Sequence, residues 1–228
     1  WQQEVLGDAD DPGSVLSSQL GFWKDTLAGL PDEVSLPADR PRPVVASYRG
    51  ATHTVSCPAG THRALTALAR GTGTTFFMVA QAAVAALLTR SGAGTDIVIG
   101  SPVTGRGDEA LDDLVGFFVN TLVLRTDTGG DPSFRELLRR ARETDLAAWA
   151  HQDVPFDRLV EALTPERSAS RHPLFQVMLT VADAVAPAPP LPGADTSASQ
   201  LPLGAAKFDF TVNFHEHHSH DGGPAGLD

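Results

Sequence analysis

Eight histidines, a single cysteine and a formal net charge of −11 set the chemistry open to this 228-residue chain. A histidine beside an acid is a candidate general base. His151-Gln152-Asp153 offers that pair immediately before Pro155-Phe156. No serine or cysteine nucleophile motif accompanies it, so the residues favour a structural role, with Asp153 capping the incoming helix and His151 packed beneath it. His215, His217, His218 and His220 form a second cluster. Alternate strand positions share a face, so these side chains have the arrangement to hold a metal. With no cysteine and no clear closing carboxylate, solvated histidines are the expectation, and no metal ligand is assigned. Gly105-Arg106-Gly107 is a turn of the kind that cradles phosphate, but neither a Lys-Ser/Thr nor a dinucleotide pattern follows it. Nucleotide binding is therefore not expected.

Asn120 is the remaining polar group of interest. It lies inside Gly116-Phe117-Phe118-Val119-Asn120-Thr121-Leu122-Val123-Leu124-Arg125, an apolar and β-branched run that reads as a strand buried on both faces. A buried amide costs roughly 1–3 kcal/mol unless its hydrogen bonds are met. Two readings stay open: a satisfied structural amide pinning a neighbouring loop, or a group facing a tunnel or partner.

The elements that would position these residues alternate. A helix is expected over residues 14–28, with Leu16, Leu20, Trp23 and Leu27 at helical spacing. Residues 30–46 carry five prolines and predict an extended surface segment. A strand is expected over Ser47–Cys57. Pro58 opens a helix to about Arg70, with Leu65 and Leu68 inward. Thr74 or Thr75 caps the next helix, Phe76–Arg90, which is apolar nearly all round and should be the central buried one. Asp96–Val103 reads as an interior strand and Thr104–Asp113 as a polar loop. Asp131-Pro132 predicts a helix start, followed by a stripe of Phe134, Leu137, Leu138 and Ala141 that is interrupted at Asp145 and resumes at Ala148. Phe156, Leu159, Val160 and Leu163 predict another helix with Phe156 in the core. Leu174–Ala182 and Lys207–His215 read as strands, separated by an Ala/Pro/Ser-rich stretch, 185–200, expected to be mobile. This mixture predicts an α/β or α+β fold.

Composition narrows the function. The negative charge argues against a general affinity for nucleic acid or acidic membranes. Cys57 stands alone, so no intrachain disulfide is possible and a reducing cytoplasm is the expected location. No signal peptide or 20–50-residue repeat is visible, and the longest apolar run, Phe76–Leu88, is broken by Gln81 and too short to span a bilayer. The start at Trp1 suggests a piece of something longer.

Four segments, in order, resemble signatures of nonribosomal peptide synthetase condensation domains. Gly100-Ser101-Pro102-Val103-Thr104-Gly105-Arg106 resembles a GSPVAGR-like element, and residues 116–121 read GFFVNT. His151 to Phe156 reads HQDVPF, and Arg167-Ser168-Ala169-Ser170-Arg171-His172-Pro173-Leu174 resembles RDxSRNPL with Ala169 and His172 as variations. Lys207 to Glu216 is similar to a KFDLxxxxxE strand. All belong to the second half of that domain.

The resemblance implies a chloramphenicol-acetyltransferase-like lobe spanning 1–228, with a central mixed sheet flanked by helices. In that family two such lobes form a V, and tethered donor and acceptor meet in a tunnel between them. Gly100, Ser101, Pro102, Arg106, Phe117, Asn120 and Thr121 are the implied tunnel-facing residues. His151, Gln152, Asp153, Pro155, Phe156, Arg167, Arg171 and Pro173 are the implied structural motif. Expected partners are the first lobe of the same domain, peptidyl carrier proteins and neighbouring synthetase modules. No cofactor is expected to bind this chain directly; the phosphopantetheine arms of carrier proteins would enter the intact tunnel. The family's catalytic signature, HHxxxDG, precedes these elements. The string His217-His218-Ser219-His220-Asp221-Gly222 has the wrong spacing and place, and is read as coincidence. No catalytic residue is assigned to this chain. Alternatives are a non-catalytic recruitment relative, an epimerisation domain and, last, a coenzyme A acyltransferase.

Overall fold

Helix α4 (Phe76–Arg90) starts where Thr75 accepts a hydrogen bond from the Met78 amide, and it ends beside Ser91. Eight of its residues from Met78 to Leu88 are buried, as an all-round apolar helix requires. A sheet lies against it. The computed structural model describes residues 2–107, 109–164, 166, 168–184, 193, 195–196 and 203–228. Its elements run α1 (Gln2–Leu6), α2 (Val15–Thr26), β1 (Cys57–Pro58), α3 (Ala59–Thr72), α4, β2 (Asp96–Val103), a 3-10 turn (Glu109–Leu111) and β3 (Asn120–Asp127). They continue with α5 (Phe134–Trp149), α6 (Phe156–Leu163), β4 (Val177–Asp183), β5 (Phe210–His218) and β6 (Pro224–Leu227).

The sheet order is β1-β6-β5-β4-β2-β3. β2–β4 and β4–β5 are parallel, and the other pairs antiparallel. Ile97, Ile99, Val177 and Leu179 pack one face against Val84, Ala85 and Leu88 of α4. On the other side, Val98 and Val123 join Leu20, Trp23, Leu27, Leu159 and Phe175. Helix α2 is capped by Ser14, and its stripe of Leu20, Trp23 and Leu27 is buried as its spacing predicts. No single helix among the described residues is long and apolar enough to cross a membrane.

Several expectations are corrected. β3 begins at Asn120, not Gly116, and Gly116–Val119 form an irregular segment with Phe117 91% exposed. Ser47–Cys57 is not a strand: only Cys57–Pro58 pair in a ladder, and residues 51–56 are irregular and exposed. Helix α5 is capped by Ser133, because Asp131 adopts φ +48°, outside the helical region. Phe156 is half-buried, and Leu159 is the residue that α6 buries. Trp1 and Arg167 lie outside the described residues, as does 185–200 apart from 193, 195 and 196.

The stripe of α5 does not skip Asp145; it buries it. Asp145 is wholly inaccessible. Both its carboxylate oxygens and Gln81 Oε1 are buried without a hydrogen-bond partner among the described residues, while Gln81 Nε2 donates to Thr126 at 3.1 Å. Burial pushes the Asp145 carboxyl up to about 7, moderated only by Gln81.

Candidate functional site at the β2–β3 end of the sheet

β2 and β3 bring five of the seven implied tunnel residues to one end of the sheet. Gly100 pairs with Val123, Ser101 with Leu122, Pro102 with Thr121 and Val103 with Asn120. Gly100 has a packing reason: a Cβ there would lie 2.3 Å from the buried Phe175 ring. Ser101 is buried, Pro102 exposed and Thr121 half-buried.

The loop joining the two strands is folded back on itself. Gly105 has φ +64°, and a Cβ would come within 1.8 Å of the Phe118 carbonyl, so only glycine fits. The Arg106 guanidinium lies over the Phe118 ring, 4.1 Å from its centroid, and Nη2 donates to the Leu114 carbonyl at 2.7 Å. Arg106 Nη1 is buried without a partner among the described residues. This bracing holds Leu114, Val115, Phe117 and Val119 out into solvent. Clustered exposed apolar residues of this kind mark an interaction surface.

Asn120 uses its whole side chain on the segment before α6. Its Nδ2 donates to the carbonyls of Gln152 at 2.9 Å and Val154 at 2.7 Å. Its Oδ1 accepts from the Phe156 amide at 3.0 Å. Pro155, the N-cap, supplies no side-chain bond, so Asn120 caps this helix from another strand. Asn120→Ala should therefore cost roughly 2–3 kcal/mol, since three partly buried backbone groups lose their partner. A urea melt checks this; a loss under about 0.5 kcal/mol would mean that water replaces the amide at no cost.

The HQDVPF segment is tied to α2. His151 stacks on Phe22 with centroids 3.7 Å apart, and its Nδ1 lies 2.7 Å from the Ala147 carbonyl. Trp23 Nε1 donates to the His151 carbonyl at 2.8 Å. Asp153 does not cap α6 as expected. Its carboxylate accepts from Gln19 Nε2 at 2.8 Å, and its amide donates to Gln19 Oε1 at 3.1 Å.

Arg171 lies 3.3 Å from Glu166 and 3.9 Å from Glu33. Glu33 also accepts from Arg42, which in turn grips Asp209. The Pro173 carbonyl receives the Phe175 amide at 2.9 Å, and the residue between, Leu174, has φ +66°. That is a γ-turn of the strained, positive-φ kind. It seats Phe175 among Phe156, His172 and Phe208. Burial holds the His172 imidazole below its ordinary pKa.

Sequence reasoning missed His62 and Gln176. His62 is fully buried; its Nε2 lies 2.9 Å from Glu216 Oε1, and its Nδ1 takes the Gly226 amide at 3.4 Å. That makes Nε2 the protonated nitrogen. Its spacing from Leu65 and Ala69 on α3 was the available signal. Gln176 accepts from the Val34 amide and donates to the His172 carbonyl. The paired histidines at the start of the HHSHDG string do not converge: His217 meets Asp228 at 2.7 Å, and His218 meets Asp183 at 3.1 Å. They are separated by a register shift in the β5–β6 ladder and lie beyond β4 from the β2–β3 end.

The chain is 55% identical over 227 residues to CymA of Salinispora arenicola, a probable nonribosomal peptide synthetase. It is 53% identical over 228 residues to the dimodular nonribosomal peptide synthase of Bacillus subtilis. In each case all of this chain is covered, but only 3% and 10% of the synthetases. The X-domain from teicoplanin biosynthesis superposes over the whole chain with a TM-score of 0.91 and 35% identity, and 51% of that domain's chain is matched. The same domain in complex with OxyB gives 0.88 and 36%, with 49% matched. The condensation-domain family model matches residues 5–221. With these relatives, the chain belongs to the condensation-domain family of nonribosomal peptide synthetases, built on the chloramphenicol-acetyltransferase-like fold.

Proposed function

We propose that this chain is the second lobe of a condensation domain, forming one tunnel wall and part of the carrier docking surface for amide-bond formation. One observation carries the reading: the braced loop that holds Leu114, Val115, Phe117 and Val119 in solvent at the sheet end shared by Gly100, Pro102, Asn120 and Thr121. An apolar loop held rigid by Arg106 and Gly105 has the character of an interface that waits for the other lobe. That the chain matches about half of the X-domain's length supports it. The reaction is attack of an acceptor amine on a donor thioester, both delivered on the phosphopantetheine arms of carrier proteins. This chain's part is to confine and orient them, since positioning supplies much of such a rate. The base would come from the first lobe.

Phe117→Asp tests this in the two-lobe domain. Loaded donor and acceptor carriers should give at least about tenfold less dipeptide by mass spectrometry, a loss of roughly 1.4 kcal/mol in transition-state stabilisation. The melting temperature of the 228-residue chain should not move, because Phe117 touches solvent there. Undiminished product would remove the loop from the lobe interface.

A second reading is recruitment of another enzyme without condensation. The similarity to the X-domain favours it, because that domain has been solved as a complex with OxyB. Dipeptide formed by the two-lobe domain supports condensation; none, in a folded domain, supports recruitment.

A further inference from the structure

We propose that Asp145 is a proton-dependent latch: the neutral acid ties the carboxyl-terminal half of α5 to α4 and β3, and its ionisation loosens that half and the segment that Asn120 holds. The connection is short. Asp145 stands four residues before Trp149, the last residue of α5, about 6 Å along the helix. The chain then runs into residues 151–156, where Asn120 grips the Gln152 and Val154 carbonyls and the Phe156 amide. The other side of the latch leads to the same place. Gln81 of α4, the group beside Asp145, donates to Thr126. Thr126 belongs to β3, the strand that Asn120 begins. The acid therefore sits where the two elements that carry this clasp come together.

The latch has two chemical states. With the proton on, the carboxyl hydroxyl has the orphaned Gln81 Oε1 to donate to, and Asp145, Gln81 and Thr126 form one run of hydrogen bonds. With the proton off, the carboxylate and Gln81 Oε1 are both acceptors, and nothing joins them. A charge also then lies where water does not reach. No charged side chain of the surrounding elements offsets it. α4 carries no charge before Arg90. On α5 itself, Arg142 turns to the Gly73 carbonyl and Arg140 to Asp127 and Glu136. On β3, Arg125 is bound to Asp96, and on α3, His62 is paired with Glu216. Relief has to come from water, and water reaches Asp145 only where a packed element moves away.

The two halves of α5 are held unequally. The first half buries Leu137, Leu138 and Ala141 against α3 and α4, and Glu136 binds both Arg139 and Arg140. After Asp145 only Ala148 is fully buried. Leu146 is exposed, and Trp149 is half-buried with its ring 6.1 Å from that of Phe77. β3, by contrast, is paired with β2 along its whole length. The last turn of α5 is thus the part that gives, as sparsely packed ends do. The carboxyl value of about 7 sets where the change falls.

The test follows the isotopically labelled 228-residue chain by NMR from about pH 5 to 8. The Asp145 carboxyl carbon, the Asn120 side-chain amide and the Phe156 backbone amide should shift together, with a midpoint at about 7. The Val212 amide on β5 should stay in place. In Asp145→Asn the two clasp signals should lose that shift. A carboxyl that titrates while the clasp signals stand still would overturn the latch. So would clasp signals that move equally in Asp145→Asn, since they would then answer to His151 or His172. A shift at Val212 as large as that at the clasp would mean a change of the whole fold, and would overturn it too.

Discussion

Asp145→Asn should stabilise the protein by about 4 kcal/mol at pH 8 and leave it unchanged at pH 3. Asp145 is wholly buried on α5, and burial raises its carboxyl from 3.8 to about 7. Below pH 4 the acid is neutral in the folded and unfolded chain alike, so burying it carries no ionic cost. Between about 4 and 7 the unfolded chain releases the proton and the folded chain holds it. Each pH unit across that window lowers stability by about 1.4 kcal/mol. Above 7 both states are ionised and the loss is complete. The neutral acid can donate its hydroxyl to the orphaned Gln81 Oε1, and asparagine offers an N–H in the same place. Urea melts of both proteins from pH 3 to 8 decide the matter. Parallel profiles would mean that the folded protein admits water to Asp145 or ionises it without cost.

The other large effect is expected at Trp23. Trp23→Ala should remove roughly 4–5 kcal/mol, a large share of the stability of about 5–15 kcal/mol that is typical of a domain. The indole is 2% exposed in the cluster under β2 and β3, and its N–H is the donor to the His151 carbonyl. Truncation opens a cavity and strands that carbonyl at once. Trp23→Phe keeps most of the volume and should cost about 1–2 kcal/mol, the share of the hydrogen bond and the smaller ring. Chemical denaturation separates the two contributions. If both variants lose the same amount, the N–H carries the effect and the packing does not.

Local pattern gave a good account where the cause is local. The Thr75 cap and the all-apolar turns of α4, the bounds of β2, and the Leu20–Trp23–Leu27 stripe all follow from neighbours within a few residues. The motif order also groups Gly100, Pro102, Asn120 and Thr121, and the β2–β3 register brings these four to one end of the sheet. The errors have a shared physical origin. Gly116–Val119 is apolar enough to be a strand, but its apolar groups are held outward by Arg106 and Gly105, which no periodicity reveals. Residues 47–56 have strand composition without a strand beside them. Asp145 sits in register with its stripe, and only the surrounding α4 and β3 show that a carboxyl has been buried. Asn120 reaches the amide of Phe156, 36 positions away, and His62 reaches Glu216, 154 away. Contacts at that range have no signature in a window of sequence.

The pairing of β1 with β6 joins Cys57 to Leu227. A ribosome adds roughly 5–20 residues per second, so the strand that completes β1 emerges on the order of 10–30 seconds after it. Through that interval α3 has no β6 to dock on, and the His62 imidazole has neither Glu216 nor the Gly226 amide. The exposed stretch leading into β1, bearing Val55, meanwhile lies open to any neighbouring nascent chain. Crowding of ribosomes on one message, or slow codons between the two strands, would lengthen that exposure. Yield of folded protein should thus be limited by the pace of translation as much as by the final stability.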